Sequence, residues 1–280
     1  MFDFDDIVGV AARHGGDSPL SVAVRERQRD TIQMVRDAIA NQNVLLAFQP
    51  VAQTANLERP AFYEGLIRVL DRSGRIIPAA DFISDVETSE IGRQIDCLAL
   101  ELGLQTLADA PDIRLAINMS ARSIGYPCWL ETLSKGLRAD PLIAERLILE
   151  ITESSAIMMP ELVQSFMAEL QKKGISFALD DFGAGFTSFR YLRDFYFDIL
   201  KIDGQFVHGI HESADNQILL QALLSIGQHF EMFTVAEGVE TLEDAEFLSD
   251  IGIDCMQGYY FGAPTIRPYW TQDQSARRTG

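Results

Sequence analysis

Eight short apolar runs, separated by stretches of helical spacing, are the feature that most narrows what this chain can fold into. The runs cover 44–51 and 62–70 and lie near 112–119, 146–152, 175–180, 198–203, 233–237 and 254–260. Between them, spacing predicts a helix opened by Pro78 and running to about Ala108, and others near 128–138, 160–173, 186–195, 215–230 and 241–251. Pro160 and Gly174 bracket one of these in the favoured order, proline at the start and glycine past the end. Strands alternating with helices predict an α/β chain, with a closed (β/α)8 barrel and an open doubly wound sheet as the competing architectures. The runs end in carboxylates or amides: Glu64, Asn118, Glu150, Asp180, Asp203, Glu237 and Gln257. A barrel gathers such ends at one mouth, whereas an open sheet strings them along an edge. An unpaired buried carboxylate is strongly disfavoured, so this repetition asks for a shared partner, and the barrel is expected.

Residues 1–25 show no sustained period and contain Gly15, Gly16 and Pro19, which reads as a loose arm. Ile32, Val35 and Ile39 then predict a lead-in helix over 26–40. The expected organisation is therefore an arm and helix over 1–40, one domain over 41–270 and a tail over 271–280. The net charge of −18 argues against a nucleic acid polymer as partner, because such a partner needs a basic surface. It leaves room for a small phosphorylated ligand whose charge is met by metal ions. Cys97, Cys128 and Cys255 are widely spaced and form no CxxC, so each is expected to be a small buried apolar residue rather than a zinc ligand or a disulfide partner. The acidic start lacks the pattern of a secretory signal, and no apolar run approaches a membrane span of about 18 residues, so a cytoplasmic protein is expected.

The chemistry is carried by the strand ends. Strand alternation puts Glu150 on one face with Thr152, while Glu153 falls at the turn into the next helix, as a further ligand or as a cap. Asp181 could cap the following helix, but Asp180 would lie at a buried strand end without compensation. Adjacent carboxylates can supply oxygens to two neighbouring cations. All-oxygen donors with one Asn favour Mg²⁺, Mn²⁺ or Ca²⁺ over zinc, and His14, His208, His211 and His229 are placed away from the strand ends. Lys201, inside an apolar run, either pairs with Asp203 or another carboxylate, or holds a nucleophilic water. The loop from Asp181 to Ser188 contains Gly183 and Gly185 and could cradle phosphate. The aromatic stretch after it, with Phe186, Phe189, Tyr191, Phe195, Tyr196 and Phe197, is read as a face that meets another subunit.

The motifs FQPV, YEGLIR, INMS, LEITES, DDFGAGFTS, LKIDGQFV, AEGVET and QGYYF follow in the order expected of an EAL domain, and the resemblance covers about residues 40–265. It implies a modified TIM barrel with one antiparallel strand and a two-metal site that hydrolyses cyclic di-GMP to linear pGpG. It implies Glu64, Asn118, Glu150 and Asp180 at one metal, and Asp180, Asp181 and Glu237 at the second. Mg²⁺ or Mn²⁺ would support turnover and Ca²⁺ would not. Lys201 would orient or deprotonate the attacking water. Gln49 and Arg68 match positions that contact substrate; Gln257, Asp203 and Glu240 match supporting ones, with Gln257 also facing the substrate. Glu153 matches the anchor of the glycine loop, and a homodimer through the region near 182–197 is implied. The chain departs from the family pattern at Gly65, where alanine is usual and the backbone is expected to be looser. It departs also at Ala184, Phe186 and Thr187, and at Ser84-Asp85-Val86 before the retained Glu87. No departure removes a ligand. Silent receptors of this family usually lack some ligands, so activity is expected over the alternative of a silent cyclic di-GMP receptor signalling through a partner.

Overall fold

Eight strands close into a ring in the computed structural model, which describes residues 18–185 and 192–271. Around the ring they are β1 (Val44–Gln53), β2 (Asn56–Leu70), β4 (Leu115–Asn118), β5 (Leu147–Thr152), β6 (Ser176–Phe182), β7 (Ile199–Ile202), β8 (Phe233–Ala236) and β9 (Cys255–Gln257). A ninth strand, β3 (Ile76–Pro78), pairs antiparallel with β2 outside the ring. β1 is antiparallel to both its neighbours, β2 and β9, while the other ring pairings are parallel. The reason is local. β1 and β2 are joined by a tight turn that pairs Gln53 with Asn56, and a hairpin reverses the chain without a crossover helix.

The helices that lie wholly within the described residues are α1 (Pro19–Ala40), α2 (Ile83–Val86), α3 (Glu90–Asp109), α4 (Pro127–Ala139), α5 (Glu153–Met158), α6 (Pro160–Gln171), α7 (Ala214–His229) and α8 (Leu242–Ile251). Three differ from expectation. α1 begins at Pro19, well before residue 26, because Ser18 accepts a hydrogen bond from the Ser21 amide and Pro19 suits the first turn. Pro78 ends a strand instead of opening a helix. Its φ of −71° and ψ of 154° are extended, and proline's fixed φ fits either state. The long helix starts later, where Ser89 caps the Ile91 amide. α5 was not anticipated; Thr152 caps it through the Ser155 amide. Most of the helix expected over 186–195 falls outside the described residues, as does the arm up to residue 17.

The outer wall of β1 is covered by chain from the C-terminal side. Thr265 bridges to Phe48, and the Trp270 ring stands edge-on to Phe48 and Tyr63 at 5.2 and 4.7 Å. Inside the ring lies a small apolar cluster: Val51, Phe62, Ala116, Ile148, Ala178, Ile199, Val235 and Cys255. Each ring strand contributes one of these residues, so the barrel is plugged by a single apolar layer. The larger core fills the space between barrel and helices. Cys97 and Cys255 are buried as expected, but Cys128, near the start of α4, is exposed.

Candidate metal centre

Side chains two positions apart on a strand share a face. Two positions from each residue of the apolar plug, toward the mouth, stand Gln49, Glu64, Asn118, Glu150, Asp180, Lys201, Glu237 and Gln257. A polar layer therefore sits directly on the apolar one, and the same period of two builds both. Glu64, Glu150, Asp180, Gln49, Gln257 and Lys201 are all buried.

Asp181 joins this layer by breaking the period. Its φ of +56° is left-handed, a conformation that costs a non-glycine residue about 1–2 kcal/mol. The β6–β7 register shifts between Leu179 and Phe182 at the same point. Two consecutive carboxylates can thus serve one site. Glu64, Glu150 and Asp180 bring an oxygen each within 4.8 Å of one another, and so do Asp180, Asp181 and Glu237. Asp180 belongs to both triads.

Lys201 lies among them, fully buried. Its Nζ is 2.8 Å from Glu237, 2.9 Å from Glu150, 2.9 Å from Asp180 and 3.6 Å from Glu64. Of the two pairings open to it, those with the ring carboxylates are made and the one with Asp203 is not. Burial would lower the pKa of the ammonium, but the charges of Asp180, Glu150, Glu237 and Glu64 outweigh it and hold it well above its usual value. One ammonium cannot neutralise five carboxylates. Burial opposes ionisation of Glu64, yet Lys201 and hydrogen bonds from Gln257 and Asn118 keep it below its usual range. Burial and neighbouring charge leave Glu150 well above its range. Burial, with Asp180 and Glu64 nearby, pushes Glu237 up to about 8. Asp181 is the exposed member of the second triad; partial desolvation and the charges of Asp180 and Asp203 push its carboxyl up to about 6.

An amide network frames the carboxylates. Asn118 donates to Glu64 Oε1 at 2.7 Å; Gln257 donates to Glu64 Oε2 at 2.7 Å and to Gln49 Oε1 at 3.1 Å. Gln49 in turn donates to the Gly262 carbonyl. Glu150 Oε1 and Gln257 Oε1 are buried without a hydrogen-bond partner among the described residues. An orphaned carboxylate oxygen, an all-oxygen donor set and uncompensated negative charge fit hard divalent cations.

The remaining expected residues fall around this centre. Arg68 lies on the Glu64 face of β2, close enough to feel the charge of Glu64. Glu153 accepts from the Gly183 amide at 3.2 Å, at the glycine loop. Asp203 caps a 3-10 turn through the Gln205 amide at 2.7 Å. Glu240 is exposed and makes no hydrogen bond or ion pair among the described residues. At Gly65 a methyl would meet Ile117 Cδ1 at 2.7 Å, so Ile117 fills the space that alanine's methyl would take. The histidines are not all remote, since the His208 ring reaches Gly238, next to Glu237. Periodicity gives no signal for that contact, because both residues lie in loops.

A family model described as EAL domain matches residues 32–264. The cyclic di-GMP phosphodiesterase PdeB of Shewanella oneidensis is 31% identical over 274 residues, which are 92% of this chain and 32% of PdeB. The cyclic di-GMP phosphodiesterase PdeF of Escherichia coli is 29% identical over 243 residues, 84% of this chain and 32% of PdeF. The chain thus spans about a third of the length of these curated relatives. The crystal structure of the FimX EAL domain from Pseudomonas aeruginosa bound to c-di-GMP superposes with a TM-score of 0.77 at 25% identity, over 85% of this chain and 97% of that one. The c-di-GMP complex of the PaMucR phosphodiesterase gives 0.73 at 26% identity, over 84% and 97%.

Proposed function

This chain belongs to the EAL domain family, and from that premise we propose that it is a metal-dependent phosphodiesterase that hydrolyses cyclic di-GMP to linear pGpG. The observation that carries this reading is the excess of carboxylates over cationic groups at the barrel mouth, arranged as one buried triad and one that opens toward solvent at Asp181, the two sharing Asp180. Glu64, Asn118, Glu150 and Asp180 would hold one divalent cation; Asp180, Asp181 and Glu237 would hold the second. Mg²⁺ or Mn²⁺, when bound there, supplies charge for the phosphodiester and acidifies the attacking water.

The chain's own residues do the rest. Lys201 is held at the centre by carboxylates as an ammonium, so it orients the attacking water by donating to its oxygen. Gln257 and Asn118 fix both oxygens of Glu64, which keeps that carboxylate ionised and aimed. Arg68 meets the phosphate from the rim with a charge that does not titrate. Gln49, held by Gln257 and Gly262, borders the substrate. Water adds to phosphorus, the bond to the 3′ oxygen breaks, and that oxygen leaves with a proton. The same proposal includes a cytoplasmic protein and a homodimer through residues 182–197, where Tyr196 is 79% exposed; residues 186–191 of that stretch lie outside the described residues.

The test is to mix the purified protein with cyclic di-GMP and Mg²⁺ or Mn²⁺, with a chelator as control. Conversion to pGpG that stops on chelation supports the reading. Ligand that stays bound and intact identifies a receptor and refutes it.

A further inference from the structure

Outside the ring, one carboxylate ties together the loops that follow β7 and β8. Asp244, in the first turn of α8, is 2% exposed. Its Oδ1 accepts from the His211 amide at 3.2 Å and lies 2.7 Å from His211 Nδ1. Its Oδ2 accepts from the Gly209 amide at 3.3 Å and from Thr241 Oγ1 at 2.8 Å. Beside an ionised carboxylate, that ring nitrogen carries the proton.

The segment held in this way also carries His208. A Cβ built on Gly238 would lie 3.1 Å from His208 Cε1, and Gly238 has a φ of +70°. Only glycine fits there without strain. Gly238 directly follows Glu237. On the other side, the Val239 amide donates to the Gln257 carbonyl at 3.0 Å, and the Val239 carbonyl accepts from the Tyr260 amide at 3.1 Å. The turn that presents Glu237 is therefore walled in by the Asp244-bound segment on one side and by the chain at the end of β9 on the other.

We propose that Asp244 and His211 are positioning residues that fix where the Glu237 carboxylate stands, and through it the affinity of the second cation position. The cation half of this inference rests on the proposed function; the positioning half does not. The test uses the full chain with Asp244→Ala, His211→Ala and His211→Asn, the last placing an amide N–H where the ring N–H donates. Hydrogen exchange at the Glu237 and Val239 amides is expected to quicken about tenfold or more in the two alanine variants and to stay near wild type in His211→Asn. Mn²⁺ titration followed by electron paramagnetic resonance is expected to show one site weakened about tenfold and the other unchanged. Unchanged exchange at both amides overturns the proposal, and so does faster exchange spread evenly over the chain. If Asp244→Ala does not fold, His211→Ala decides by the same measurements. A wild-type protein that binds no Mn²⁺ refutes the cation site and its second-position half, while exchange still decides the positioning.

Discussion

At the scale of single residues, Lys201 does two things that can be separated. It balances charge within the ring, and in the proposed reaction it handles the water. Removing one partner of a buried ion pair typically costs about 3–5 kcal/mol, because the other charge is left uncompensated. Lys201→Ala is therefore expected to be markedly less stable without divalent cations and to regain part of that stability when Mn²⁺ is added, read as the midpoint of thermal unfolding. Its single-turnover rate on cyclic di-GMP should fall by about 100-fold or more, with binding of the intact ligand little changed. Unchanged chemistry with much weaker binding would show that Lys201 does not orient the attacking water.

At the scale of elements, helices are joined to strand ends by buried polar contacts. Asp96 on α3 accepts from the Ser120 amide at 3.0 Å and from Ser123 Oγ at 2.5 Å, which ties the helix to the loop after β4. Burial pushes its carboxyl up to about 6 despite those bonds. The fold thus favours the neutral acid, so its contribution is full below the unfolded value near 4 and is lost as pH rises through 6. Relative to Asp96→Asn, the wild type should gain about 1 kcal/mol between pH 7 and pH 5, measured by urea unfolding at both pH values. A constant difference would show that the carboxyl is ionised throughout. The β2–β4 contact gives a second case. Gly65→Ala should destabilise by about 1 kcal/mol through Ile117, and Ile117→Val should relieve much of that loss, so the two changes will not add in a double-mutant cycle. Such details mark where the sequence stops being legible. Ring donors could be read because a period of two places Glu64, Glu150 and Asp180 above apolar residues of their own strands. Asp181 joins them through a left-handed φ that no period encodes. Pro78 fits a strand end as well as a helix start, and Ser18 starts α1 through a cap rather than through apolar spacing. Glu240, carried over by motif alone, is exposed and makes no hydrogen bond or ion pair among the described residues. The His208–Gly238 contact joins two loops and the Asp244–His211 contact joins a helix start to a loop, and both approaches depend on the barrel closing.

At the scale of the molecule, one layer of the barrel holds the fold and the next holds the chemistry. The plug of eight apolar residues keeps water out from below, so the carboxylates above it face one another in a poorly screened space. In a chain with a net charge of −18, cations bound among these carboxylates would offset the repulsion that an anionic ligand meets. Asp180 is the residue on which this account turns, because it is common to both triads. The most direct test is the stoichiometry of Mn²⁺ binding by calorimetry, for the wild type and for Asp180→Ala in its folded state. The account predicts two ions per wild-type chain and loss of tight binding at both positions in the variant. A wild type that binds none, or a variant that keeps both, would contradict it.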